Sequence, residues 1–210
     1  RENIADKALW TAKKRYIMNV YDAEGVRYET PQLKVMGIES VRSSTPAACK
    51  ERMKGIFNII MNGTEEDAIN YIDKFRGEFQ TLKAEDVFFP RSVRGLTKYH
   101  DAAHLYIKGS PVHVKGALLY NKLLKDKKLT NDYPLIQDGE KIKFAYLKKP
   151  NTTGGEVIAI LNQLPPELQL EQYIDYDKMF QKSFIDPMST VMSAIGWQTE
   201  HISDLSEFFG

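Results

Sequence analysis

The sequence is poor in cysteine, with Cys49 alone among 210 residues. One thiol forbids an internal disulfide and cannot build a cysteine-based zinc site, so a reducing compartment is expected. No run of about 18 apolar residues exists, which excludes a membrane-spanning helix. There is no opening methionine and no signal-peptide pattern. Arg1-Glu2-Asn3-Ile4-Ala5-Asp6 reads like the interior of a longer protein. Internal repeats and low-complexity tracts are missing. So are a recognisable Ser-His-Asp arrangement and a phosphate-cradling glycine loop, since Gly154-Gly155 reads as a turn before a strand. Net charge is nearly absent too, at +1 from 29 Lys and Arg against 28 Asp and Glu.

What is present is a hydrophobic fraction of 42%, enough to fill a core and to exclude global disorder. The near-zero charge is segregated. Residues 1–54 carry +4, residues 55–73 carry −4, residues 74–149 carry +8 and residues 150–210 carry −7. Two basic zones separated by acidic ones describe a surface facing a polyanion, with a solvated back.

Residues 1–12 hold few apolar groups and read as a helical turn or an ordered arm. Arg15 to Tyr21 has strand period, Asp22-Ala23-Glu24-Gly25 suits a hairpin turn, and Leu33 to Val41 forms the returning strand. Residues 13–42 are therefore predicted to be a β-hairpin. Thr45 is placed as N-cap and Pro46 as first residue of a helix whose apolar face is Cys49, Met53, Ile56, Phe57 and Ile60. Thr64 caps a second helix with the acidic first turn Glu65-Glu66-Asp67 and the face Ala68, Ile69, Ile72, Phe75, Phe79 and Leu82. Further on, a strand is possible at Val87-Phe88-Phe89, a helix is predicted over 113–124, and short strands over 141–147 and 156–161. Helices follow from Pro165-Pro166 to about Ser183 and from Met188 to Trp197. The fold class is α+β.

Lys13-Lys14-Arg15-Tyr16 opens the first predicted strand, with Lys13 and Arg15 on one face and Lys14 and Tyr16 on the other. Cations with an aromatic on a rigid hairpin can bridge phosphates and reach a groove edge, although an ordinary charged strand edge looks the same. The order of further motifs narrows this. Leu33-Lys34-Val35-Met36-Gly37-Ile38-Glu39 follows at hairpin distance, then Ser43-Ser44-Thr45-Pro46 and Pro111-Val112-His113-Val114-Lys115-Gly116. Gly139-Glu140-Lys141-Ile142, Phe180-Gln181-Lys182-Ser183-Phe184-Ile185-Asp186-Pro187 and the closing Asp204-Leu205-Ser206-Glu207-Phe208-Phe209-Gly210 come after. In this order they resemble the family B DNA polymerases of T-even-type phages, from just after the last catalytic palm motif to the C-terminus. The match departs most at 86–110 and 148–165.

That resemblance implies a palm-derived β-hairpin over 1–45, a mainly helical thumb with a small strand insertion over 46–200, and a clamp-binding tail over 201–210. Lys13, Lys14, Arg15 and Tyr16 would hold the primer–template duplex near the primer end, with Lys34 and Gly37 on the adjoining strand beneath it. His113, Lys115 and Gly116 would belong to the thumb surface gripping the duplex farther back, while either glycine could equally be a packing residue. Leu205, Phe208 and Phe209 would plug a sliding clamp, with Ile202 where the usual glutamine stands, unless the two aromatics fold back into the core. Partners would be primer–template DNA, the catalytic palm and exonuclease portion, and the clamp, with no membrane, in the cytoplasm of a bacterial host. Mg2+ is expected for the complete polymerase and no cofactor for this chain, because the family's palm aspartates lie upstream. The chain alone would be inactive, either as a piece of a longer chain or as one half of a naturally split enzyme.

Two metal readings are weaker. Asp175-Tyr176-Asp177 falls in a helical pattern, so its carboxylates diverge by about 200° and cannot share an ion. His100-Asp101-Ala102-Ala103-His104 places two histidines four apart, but it lacks the glutamate, the helix and a third ligand of a zinc hydrolase. The rival from another class is a stand-alone, sequence-nonspecific nucleic-acid-binding module.

Overall fold

The computed structural model describes residues 3–38 and 42–201. The chain forms two compact units, one made of Arg1–Phe79 and Gln181–Gly210, the other of Gln80–Phe180.

The first unit opens with an antiparallel sheet of β1 (Asn3–Ala12), β2 (Arg15–Ala23) and β3 (Val26–Met36), in that order. The expected hairpin is thus a three-stranded meander, and residues 3–12 are strand rather than helical turn or arm. Register shifts at Ala5/Lys7 and Trp10/Ala12, which insert Asp6 and Thr11 into β1, explain why it hid. Each bulge inserts a residue and flips the face that follows, which erases the alternation by which a strand is recognised. The turn at Glu24-Gly25 is as expected, with both residues at positive φ (54° and 92°) and the Gly25 N–H donating to Asp22 at 2.8 Å.

Helix α1 (Ala47–Asn62) starts one residue later than expected, with Pro46 rather than Thr45 as cap, and buries Cys49, Met53, Ile56, Phe57 and Met61. Ile60 is only half-buried. Burial pushes the Cys49 thiol up to about 11, so it is an inert core group, 3.3 Å from the Ser183 hydroxyl. Helix α2 (Glu65–Phe79) buries the expected Ala68, Ile69, Ile72, Phe75 and Phe79. Its start is a reciprocal cap, in which Asp67 N–H donates to the Thr64 hydroxyl and Thr64 N–H donates to the Asp67 carboxylate. The Thr64 hydroxyl also donates to that carboxylate at 2.7 Å, and this bond first, with the Thr64 N–H second, holds the Asp67 carboxyl below its usual value.

The second unit contains α3 (Ala84–Val87), β4 (Phe89–Ser92), α4 (Leu96–Tyr99), β5 (His100–Asp101), β6 (Leu105–Tyr106), α5 (Val112–Asp126), β7 (Lys141–Tyr146), β8 (Val157–Ile160) and α6 (Tyr176–Phe180). Its core is an antiparallel sheet of order β4-β7-β8 with α5 packed on β8. The expected strand pair has gained β4, which begins at Phe89, the last of the three residues Val87-Phe88-Phe89 weighed as a strand. Pro90 and Arg91 interrupt the apolar run there, and an edge strand tolerates both because its outer hydrogen bonds are not needed. The helix expected from Pro165 is broken into two 3₁₀ turns before α6. Back in the first unit, a π-helical turn (Gln181–Ile185) leads into α7 (Asp186–Met192), and Phe184 packs 4.9 Å from Phe75.

The architecture is α+β as expected. Among the described residues no helix is long and apolar enough to cross a membrane.

Candidate nucleic-acid interface

In the first unit the candidate residues converge on one sheet end. Ala12 pairs with Arg15, so Lys13 and Lys14 form the two-residue turn between β1 and β2 and are exposed. The expectation of a strand with Lys13 and Arg15 on one face is corrected accordingly. The two lysines crown a hairpin tip, and only Arg15 and Tyr16 belong to the strand. Lys14 sits at φ 65°, a left-handed conformation unusual for a side-chain-bearing residue.

The tip is held from behind. Gly37 follows β3 rather than lying in it, and at φ 68° its backbone packs directly on the Lys14 carbonyl, leaving no room for a Cβ. The Arg15 Nε–H donates to the Gly37 carbonyl at 3.2 Å. Arg15 and Gly37 therefore brace the turn, and Lys13 and Lys14 are the outward cations. Across the strands Tyr16 pairs with Trp10 on one side and Met36 on the other, and one row further Met18 pairs with Lys34 on the same face.

In the second unit the three expected residues separate. His113, in the first turn of α5, is half-buried with its ring 6.2 Å from that of Phe144. Burial, and then the Arg91 charge, depress its basicity. The Lys115 ammonium lies 5.3 Å over the Tyr106 ring. Gly116 is buried, and a Cβ there would meet Ala159 N at 2.9 Å and Ile158 C at 3.0 Å. It is a packing glycine that seats α5 on β8.

Sequence reasoning missed Arg91, Arg94 and Lys141, all exposed, where Ser92 at the end of β4 pairs with Lys141 at the start of β7. The +8 charge of 74–149 signalled the zone, but only the register shows Arg91 on the face of its partner Ile142 and Lys141 on the opposite face with Ser92. A groove of about 870 Å³ in the same unit, lined by Lys115, Lys122 and Lys125, also holds Asp101, Asp126 and Glu156. Its charges cancel, and it offers no anion field.

Asp175 accepts the Lys178 N–H at the start of α6, and Asp177 accepts from Gln80 at 2.7 Å. The pair is divided between a helix cap and a side-chain contact, and the continuous helix expected there is absent. His100 opens β5 and His104 lies in the β5–β6 turn, which Asp101 closes by accepting the N–H groups of Ala103 and His104. Among the described residues no group of three His, Cys, Asp or Glu side chains could hold a metal. The expected clamp residues Leu205, Phe208 and Phe209 lie outside the described residues.

No family model matches the sequence. The chain is similar, over nearly its whole length, to a stretch of phage DNA-directed DNA polymerases. It is 32% identical over 206 residues to the polymerase of Enterobacteria phage T4, a match covering 96% of this chain and 22% of the relative. It is 32% identical over 207 residues to that of Escherichia phage RB69, with the same shares. The polymerase resemblance read from the ordered motifs is borne out, and the chain spans about a fifth of the length of these relatives.

Proposed function

We propose that this chain is the duplex-holding, C-terminal part of a family B, phage-type DNA polymerase, comprising the end of the palm, the thumb and a clamp-docking tail. The observation that carries this is the braced hairpin tip, where two lysines project from a turn that Arg15 and Gly37 hold in place. A polymerase must accept every sequence, so its grip should fall on phosphates and on the degenerate minor groove rather than on the base code. A narrow, rigid, doubly cationic tip suits that task. Arg91, which lies on the Ile142 face of the β4-β7-β8 sheet and whose charge acts on His113, supplies a further cation for duplex farther from the primer end. Lys115, turned onto Tyr106, contributes through its aromatic neighbour, and Gly116 acts only by seating α5.

Nucleotidyl transfer by two metal ions needs carboxylates that hold both ions about 4 Å apart. The acidic residues described here do not fit Mg2+ in that way, so the chemistry is assigned to the catalytic palm and exonuclease portion. Primer extension tests the assignment. This chain alone should extend no primer with Mg2+ or Mn2+, and adding it to the catalytic portion from the same source should restore synthesis. Extension by the pure chain, or no effect of the chain on its partner, would defeat the proposal. Duplex binding without any rescue would favour the stand-alone nucleic-acid module.

A further inference from the structure

The face of the meander beside the lysine tip carries an aromatic row in which only Tyr16 is assigned to the duplex. Trp10, Tyr16 and Met36 are directly paired across β1, β2 and β3, and Trp10 is 61% exposed and Met36 45%. The Trp10 and Tyr16 rings are tilted by 44° with centroids 6.2 Å apart, so the indole is not capped by its neighbour. The next row on this face is Ala8, Met18 and Lys34. Neither row contains an acid, and the exposed Lys13 and Lys14 lie at the edge of the first.

We infer that this face is a stacking platform for unpaired nucleotides, with Trp10 taking a base and Lys13, Lys14 and Lys34 tracking the adjoining phosphates. Aromatics on neighbouring strands flanked by cations are what a sheet needs to bind single strands without sequence preference, since every base offers a π-face. A paired duplex cannot use the indole in this way, because its base faces are already stacked. A protein partner is the poorer fit, as the centres of protein interfaces are depleted in lysine, whereas lysines adjoin this row. The inference rests on the polymerase reading for its setting, a frayed primer end or a template overhang, but not for its chemistry.

The test uses the full chain with Trp197→Phe, which leaves Trp10 as the reporting indole. A short oligothymidylate should quench its emission, and a blunt duplex should not. By anisotropy of labelled DNA, Trp10→Ala should weaken oligothymidylate binding about five-fold or more while duplex affinity changes less than about two-fold. Trp10→Phe should retain most of the single-strand affinity. Duplexes carrying unpaired thymidines at the 3′ or the 5′ end separate the two sources, and the arm that binds more tightly identifies the strand. No quenching, or equal losses for single strand and duplex, overturns the inference. Self-association that Trp10→Ala abolishes, without oligothymidylate binding, would make the face a protein seat and also overturn it. Single-strand binding with no duplex binding would leave this inference standing and remove the duplex grip proposed above.

Discussion

At the residue scale, one carbonyl decides two positions. The Lys14 C=O fills the space where a Cβ at position 37 would go, so only glycine can follow β3 there while the tip stays in its left-handed turn. Along the sequence, Lys13-Lys14-Arg15-Tyr16 is four similar chances to meet a phosphate. In the fold it is two outward cations, one brace and one sheet residue. That division depends on where β1 ends, which bulges concealed in the sequence. His113 is a second case. Its basicity is depressed by burial and by the Arg91 charge, so the folded chain resists a proton that the unfolded chain accepts. The stability linked to this group is therefore full above the ordinary value near 6.5 and is lost as pH falls through it toward the lower folded value. An NMR titration of the His113 ring should give a midpoint below that ordinary value in the free chain. Adding duplex should move it upward, because a nearby phosphate favours the imidazolium. A midpoint insensitive to duplex would place His113 outside the interface.

At the element scale, two glycines in helices make opposite demands. In α5, Gly116 faces the β8 backbone, where a methyl has nowhere to go. In α2, exposed Gly77 has nothing within 4 Å of its missing Cβ. Gly77→Ala should stabilise the chain by about 0.5–1 kcal/mol through reduced backbone entropy. Gly116→Ala receives the same gain but incurs an overpacking cost of about 1–3 kcal/mol, for a net loss of about 1 kcal/mol. Urea denaturation of both variants checks the pair, and equal shifts in the same direction would mean that α5 is not seated by its glycine. The helices were legible because Cys49-Met53-Ile56-Phe57 and Ile69-Ile72-Phe75-Phe79 carry the 3.6-residue period on their own. Strand β4 was legible only at Phe89, since Phe89-Pro90-Arg91-Ser92 has one apolar aromatic in four residues and the rest becomes strand only through its partner β7. The continuous helix expected before Tyr176 was misread for a related reason. Leu170, Tyr173 and Ile174 have helical spacing, yet they occupy 3₁₀ turns and a strand-like contact that only the surrounding chain dictates.

At the scale of the whole molecule, the polymerase resemblance was legible because it lay in the order of motifs over nearly the full length. The arrangement of cations was not, because charge counts locate a zone and folding decides which turn or face each cation takes. For the proposed tail, deleting residues 204–210 should leave the melting temperature and duplex affinity unchanged while removing clamp-stimulated synthesis by the assembled enzyme. A melting temperature lower by several degrees with clamp stimulation intact would instead make Phe208 and Phe209 core residues.

The duplex grip at the lysine tip is tested most directly by binding of a blunt duplex as a function of salt, for the native chain and for Lys13→Ala/Lys14→Ala. Arg15 is kept because it braces Gly37. Each phosphate that a lysine no longer neutralises should flatten the slope of log affinity against log salt by about one unit. The double variant should therefore bind all sequences more weakly and alike, with a slope shallower by about 2 units. An unchanged affinity and slope, or a weakening confined to one DNA sequence, would contradict a sequence-blind grip at this tip.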